Sequence, residues 1–299
     1  LFINLNDAGV RDCARYIRSV SKAYEDSYVL SLSGYGDSDM INFWDESGSF
    51  ISPKAATRPS VGKQLSNFAK VTGAKTVIPF SSFHQYQRSD SLWAQEFTTP
   101  EDAYEEGIVQ QINFIPPFST INCESGLFDS YNPEKLKITV KLPEVFEDNW
   151  NDELEETDRK LINDYFACDD SIQNYFGFLN FNVGGKDNFF KLRGKAKRGI
   201  TFSVPRNSLI TSIKYRIFDD LLIGNFMKTT LHGVSSLYEG GNSKGNFTCS
   251  VAKFADNGLA ETEEEVTQYL AEYRLRAGLE FIIGALEDKS RDFLVRFAG

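Results

Sequence analysis

The sequence has 299 residues, room for two ordinary domains, and its 41% hydrophobic and 25% charged content belongs to a folded globular chain rather than a disordered one. The 25 Phe and 13 Tyr supply ample apolar surface for a core. A formal charge of −10 excludes the basic surface of a diffuse nucleic-acid binder, and no apolar run approaches the roughly 20 residues that span a bilayer.

In chain order, Leu1, Ile3 and Leu5 alternate with polar residues and predict a strand that stops at Asp7-Ala8-Gly9. Val10, Ala14, Ile17 and Val20 follow at helical spacing. Residues 28–33 form a second short apolar run, and 34–59 are polar and turn-rich. Ser60 reads as the N-cap of a helix with Leu65, Phe68 and Ala69 inward, ended by Gly73. Residues 75–80 form a third strand. The pattern is strand–helix–strand–helix–strand, a layered α/β arrangement whose sites gather at the carboxyl ends of strands.

Beyond residue 85 the text is loop-rich. Thr99-Pro100-Glu101-Asp102 has the cap, proline and acids of a helix start, and Ile115-Pro116-Pro117 must be extended or turn-like. Residues 144–158 carry eight Asp and Glu without the glycine of a calcium loop, and read as a solvated acidic helix face. Strand-like runs cover 177–183, 187–193 and 199–204, Pro205 opens a helix over 206–215, and 221–231 is apolar. Residues 262–297 read as one long helix, with Thr262 and Glu265 as a capping box and an apolar stripe of Val266, Leu270, Tyr273, Ala277 and Phe281.

Cys13, Cys123, Cys168 and Cys249 are scattered, which fits reduced thiols in a cytoplasmic protein. His84 and His232 are the only histidines, too few for a self-contained His-rich metal site. The chain opens on Leu1 inside a strand, and an upstream portion is expected.

Two residues stand just past predicted strands: Asp7 after the first and His84 after the third. A carboxylate and an imidazole at neighbouring strand ends suit a shared zinc or iron. Their structural uses are a helix N-cap for Asp7 and a hydrogen bond for His84, and spacing alone favours those. The polar segment around His84 weighs the other way. Within it, Arg88 and Asp90 serve equally well as ligand-orienting catalytic residues or as a structural salt bridge.

Two motifs carry a resemblance. "LFINLNDAG" resembles the strand of metallo-β-lactamase-fold proteins whose terminal aspartate bridges two metals, and "KTVIPFSSFHQYQRSDS" resembles the strand and loop that supply their last metal-binding histidine. The branch it resembles includes L-ascorbate-6-phosphate lactonases and CMP-N-acetylneuraminate hydroxylase-like proteins. The resemblance covers residues 1–100 and the second half of that fold only. It implies that Asp7 and His84 are metal ligands and that Arg88 holds substrate charge. The cofactor it implies is zinc, mononuclear or dinuclear, with iron as the alternative. The family's His-x-His-x-Asp-His signature is not in this sequence, so the metal site is expected to depend on missing upstream ligands.

The expected architecture is α/β. Residues 1–100 are part of a metallo-β-lactamase-like αββα sandwich, and residues 101–299 form an α+β region ending in the long helix. The expected function is a metal-dependent hydrolase of an ester, lactone or phosphoester with an anionic small-molecule substrate, no nucleic acid and no membrane span. An N-terminal partner segment or a second copy of the chain is the expected partner. The rival is a non-catalytic binding or assembly module with an apolar or anionic ligand site in the C-terminal region. Two features bear on that rival. The charges of residues 191–198 form a basic stripe on a strand or on a hairpin turning at Gly194, and "DDLLIGNFM" faintly resembles sterol-carrier-like domains.

Overall fold

The computed structural model describes residues 1–6, 13–36, 40–80, 83, 85–134, 137–237, 247–248 and 250–251, with 264, 267, 268, 271, 272 and 275. It begins with β1 (Phe2–Asn4), α1 (Ala14–Ser21) and β2 (Tyr28–Leu32). A short hairpin of β3 (Phe43–Trp44) and β4 (Phe50–Ile51) follows, inside the stretch that composition marks as turn. Then come α2 (Val61–Thr72), β5 (Thr76–Phe80) and β6 (Asn113–Phe114).

Strands β1, β2, β5 and β6 form an all-parallel sheet in that order. The first four residues of β5 are buried, which is why it reads as a continuous apolar run rather than an alternating one. α2 turns Val61, Leu65 and Ala69 inward at four-residue spacing and closes on Gly73, φ 75°. Ser60 stands at the predicted N-cap, but its side chain makes no capping bond. The strand–helix–strand–helix–strand order expected of residues 1–80 is present, interrupted by the β3–β4 hairpin between β2 and α2.

β7 (Ser119–Ile121) and β8 (Phe128–Ser130) make a separate hairpin. After α3 (Glu156–Ala167) and α4 (Asp170–Tyr175) come β9 (Phe176–Val183), β10 (Lys186–Lys191), β11 (Lys195–Ser203), α5 (Arg206–Tyr215), α6 (Phe218–Ile223) and β12 (Lys228–His232). The second sheet is mixed and six-stranded, in the order β10-β9-β11-β12-β3-β4. The two sheets interleave along the chain: β3 and β4 join the second, and β6 completes the first. The protein is therefore mixed α/β, a parallel four-stranded sheet with helices plus a mixed six-stranded sheet.

Four local expectations change. The tight turn lies at Gly184-Gly185, φ 62° and 75°, where two successive left-handed residues suit a two-residue hairpin between β9 and β10. Gly194 instead carries the chain across the end of β9 so that β11 pairs with β9 in parallel; a Cβ there would meet Tyr175 backbone at 2.4 Å. Thr99-Pro100-Glu101-Asp102 starts only a short 3-10 turn, Glu101–Ala103. The apolar run 221–231 divides between α6 and β12. Of the long helix expected over 262–297, the described positions are helical and exposed, while Val266, Leu270, Tyr273, Ala277 and Phe281 lie outside the described residues.

The larger core lies between the second sheet and α3–α6. Phe166, Phe176, Phe181, Phe202, Phe218 and Phe247 meet there, with Phe218 edge-on to Phe202 at 5.2 Å and to Phe166 at 5.4 Å. Such contacts add about 0.5–1.5 kcal/mol each beyond simple burial. The smaller core packs α2 on the first sheet through Val29, Leu65, Ala69 and Val77. The chain passes from one to the other between Met40 and Ile41. Among the described residues, no helix is long and apolar enough to cross a membrane.

Candidate functional site

The parallel sheet sends β1, β2, β5 and β6 out at one edge, where α/β proteins collect their sites. At the carboxyl ends of β5 and β6 lies an open groove of about 1270 Å³. One wall follows β5: half-buried Phe83, then Gln85 and Gln87. The other follows β6, where Pro116 and Pro117 force an extended path into Phe118. Phe118 has φ 58°, an uncommon conformation for a bulky residue. Its carbonyl accepts the Tyr131 amide at 3.1 Å.

Three rings run along this groove. Phe118 lies 5.2 Å from Phe83 and 6.1 Å from Tyr131, centroid to centroid. Behind them, buried Tyr104 stands 5.1 Å from Phe83 and donates its hydroxyl to the Ser33 carbonyl at 3.1 Å. Burial, with the charge of Glu101 added to it, pushes the Tyr104 hydroxyl well above its ordinary value. Gln95 is pinned at the floor: its Oε1 accepts the Tyr86 amide at 3.0 Å, and its Nε2 donates to Thr98 Oγ1 at 2.9 Å.

Immediately beside the groove the chain builds a largely buried ionic centre. Residues 87–89 run beside Lys141, with the Lys141 amide donating to the Gln87 carbonyl and the Ser89 amide to the Lys141 carbonyl. In this extended stretch Gln85 and Gln87 are exposed to the groove, while Tyr86 and Arg88 turn inward. Arg88 donates from Nε to Asp90 Oδ1 at 2.7 Å, from Nη2 to Asp90 Oδ2 at 3.1 Å and from Nη1 to Asp148 Oδ2 at 2.6 Å. Its guanidinium also lies 3.7 Å from the Phe226 ring centroid. Asp90 accepts the Trp150 indole at 2.9 Å, and fully buried Asp148 accepts the Ser208 amide and hydroxyl at 2.9 and 2.6 Å. Burial alone lowers the Arg88 pKa, but the two carboxylates outweigh it and the net direction is up. These are the contacts of the salt-bridge alternative for Arg88 and Asp90, extended by three partners from outside their own segment.

In the acidic run 144–158, Glu144, Glu147, Asp152, Glu153, Glu155 and Glu156 are exposed as expected, but the run is not one helix face. Only residues from Glu156 onward are in α3, and Asp148 and Asp158 are buried. Asp158 completes a capping box with Glu155 and accepts Arg206 Nε at 2.6 Å. Alternation and charge counting give no sign of this, because the partners of Asp148 lie 60 residues away on either side. Trp150 in the middle of the run was the one available signal, since an exposed tryptophan in a charged stretch is unusual.

Asp7 and His84 lie outside the described residues. In sequence they follow the last residues of β1 and β5 by three and four positions. Among the described residues, no group of three or more His, Cys, Asp and Glu could hold a metal ion. His232 accepts or donates a 2.9 Å bond with Thr201 and packs near Phe178, the structural role its position suggests. Of the basic stripe, Arg193 pairs with Asp170 and Arg198 sits 4.5 Å over the Tyr175 ring, while Lys191, Lys195 and Lys197 are exposed. A second cavity, of about 380 Å³ and mostly apolar, opens between α3, α4 and α5 beside Leu161, Tyr165, Ile172 and Ile213. Comparison with protein-family models, curated proteins and solved structures returns no significant match.

Proposed function

We propose that this chain is a metal-dependent hydrolase of the metallo-β-lactamase type, acting on an ester, lactone or phosphoester at the carboxyl edge of its parallel sheet. The carrying observation is that β1 and β5 leave that sheet at the same edge, on which the large groove opens. Asp7 and His84 follow those two strands within four residues. Their carboxylate and imidazole are donors that fit zinc or iron, and a catalytic zinc takes three protein ligands, so at least one more is required beside them. When bound, such an ion acidifies a water and polarises the scissile centre.

The remaining tasks fall to residues on the page. Phe83, Phe118 and Tyr131 offer faces that hold an organic group and exclude water. Gln95, fixed at both ends of its amide, aligns the groove floor. Arg88, Asp90, Asp148 and Trp150 brace the segment that follows β5 and carries His84. Arg88 acts here as a positioning residue.

Elemental analysis of the protein purified from its full-length gene tests this reading. Stoichiometric metal is expected in the wild type, and near-complete loss in Asp7→Ala and His84→Ala with an unchanged circular-dichroism spectrum. Full occupancy in both variants would overturn the ligand assignment. The apolar cavity beside α3 favours the binding-module reading instead, and that reading gains if metal is absent throughout and an apolar fluorescent probe is displaced by Ile213→Trp.

A further inference from the structure

The outer face of the second sheet carries side chains that the site above does not use. Its inner face holds Leu179, Phe181, Ile200, Phe202 and Leu231 in the larger core. Alternation turns the intervening residues to the opposite face, and strand register sets them in rows across β10, β9, β11 and β12. One row reads Lys191, Phe178, Gly199, His232. The next opens on Phe189, and the third runs from Asp187 on β10 to Lys228 on β12.

The rings of this face are displayed rather than packed away. Phe189 is 59% exposed and stands 5.8 Å from the half-buried Phe178 ring, centroid to centroid. Phe178 lies over Gly199, where a Cβ would meet its ring at 2.3 Å, so the glycine in mid-strand is what lets the ring settle on the sheet. Cations frame the two rings. Lys191 lies directly across from Phe178, Lys228 ends the third row, and Lys197 precedes Gly199 by two residues; all three are exposed. The one acid in the three rows, Asp187, turns its Oδ1 to the Asn180 and Asn182 amides at 2.9 and 2.8 Å. At strand and residue spacing, Lys191 and Lys228 stand about 20 Å apart along the sheet, wider than one phosphate bridges.

We propose that this face binds single-stranded nucleic acid, its bases stacked on Phe189 and Phe178 and its phosphates paired with Lys191, Lys197 and Lys228. A duplex hides its base faces and offers the rings nothing. The chain carries −10 overall, so the field of the whole protein supplies no attraction and the face itself must hold the strand. The proposal replaces the expectation of no nucleic-acid partner, and it stands on a different sheet from the metal site.

The test is fluorescence anisotropy of the full chain with a labelled oligothymidylate of about 12 nucleotides, alone and as a duplex. The single strand is expected to bind at least about tenfold tighter than the duplex. Its log affinity is expected to fall against log salt with a slope of about −2, as for three neutralised phosphates. Phe189→Ala, which removes a mostly exposed ring, is expected to weaken the strand by about five- to hundredfold. Lys191→Gln/Lys228→Gln is expected to bring the slope to about −0.7, while Lys160→Gln, in an ion pair on α3, changes neither readout. Absence of binding, a duplex bound as tightly as the single strand, or binding that neither the ring nor the lysine variant moves overturns the proposal. So does displacement by thymidine monophosphate at matched nucleotide concentration, which marks a mononucleotide site, or by polyglutamate, which marks a surface for acidic protein. Every readout is independent of metal and turnover, so this inference and the hydrolase reading stand or fall separately.

Discussion

The groove and the Arg88 centre are built from the same ingredients, carboxylates and aromatic rings, and they meet along one extended stretch, residues 85–88. In the Arg88 centre each carboxylate is matched by a guanidinium, an indole or a hydroxyl, and the rings pack flat against the cation. In the groove Phe83, Phe118 and Tyr131 line an opening together with Glu96, Glu101, Asp102 and Glu134, and no guanidinium is packed between them. Composition does not separate the two. Parity does: side chains at 86 and 88 enter the protein, and those at 85 and 87 face the opening.

Four measurements sharpen that contrast, from the largest effect down. Asp148→Ala leaves Arg88 Nη1 and the Ser208 amide and hydroxyl without their buried acceptor, with Asp90 as the one carboxylate on Arg88, and should destabilise the fold by about 3–5 kcal/mol in urea titration, with Arg88→Met/Asp148→Leu recovering part of it. A loss under 1 kcal/mol for Asp148→Ala would mean that water reaches the pair. Trp150→Phe removes one bond to a charged acceptor and should cost about 1.5–3 kcal/mol by the same titration.

Asp158 gives a pH signature. Burial pushes its carboxyl up, but the Arg206 guanidinium and the Glu155 amide outweigh that and hold it below the ordinary 3.8. A depressed folded value stabilises the protein fully above the unfolded pKa, and the contribution fades as pH falls through the folded one. Unfolding measured from pH 5 down to pH 2 should therefore show an acid loss that Asp158→Asn flattens; an identical slope in the variant would count against the pairing. Last, Asp102→Asn in the groove should leave stability within about 0.5 kcal/mol, as for other exposed positions. A larger loss would make the groove a packed structural surface and erase the contrast.

The sequence makes local order legible. α5 begins directly after Pro205, and β1–α1–β2–α2–β5 follow apolar period and terminal glycine. What it hides depends on partners distant in the chain. Gly194 has the look of a hairpin turn until the parallel pairing of β11 with β9 is known. Asp148 has the look of one more solvated acid until Arg88 and Ser208 arrive from either side. The groove residues Gln95, Phe118 and Tyr131 escape notice because each is ordinary alone, and only the meeting of two loops makes them a wall.

One earlier feature bears on how this protein is made. The β3–β4 hairpin lies early in the chain, yet Phe43 and Trp44 pair with Thr229 and Thr230 of the last described strand. During synthesis from the N-terminus that hairpin has no sheet to join until residue 232 has left the ribosome. Its edge, with Trp44 and Phe50 attached, stays without its partner strand until then. An edge that waits unpaired while residues 52–232 are made is, for that interval, open to pairing with other chains.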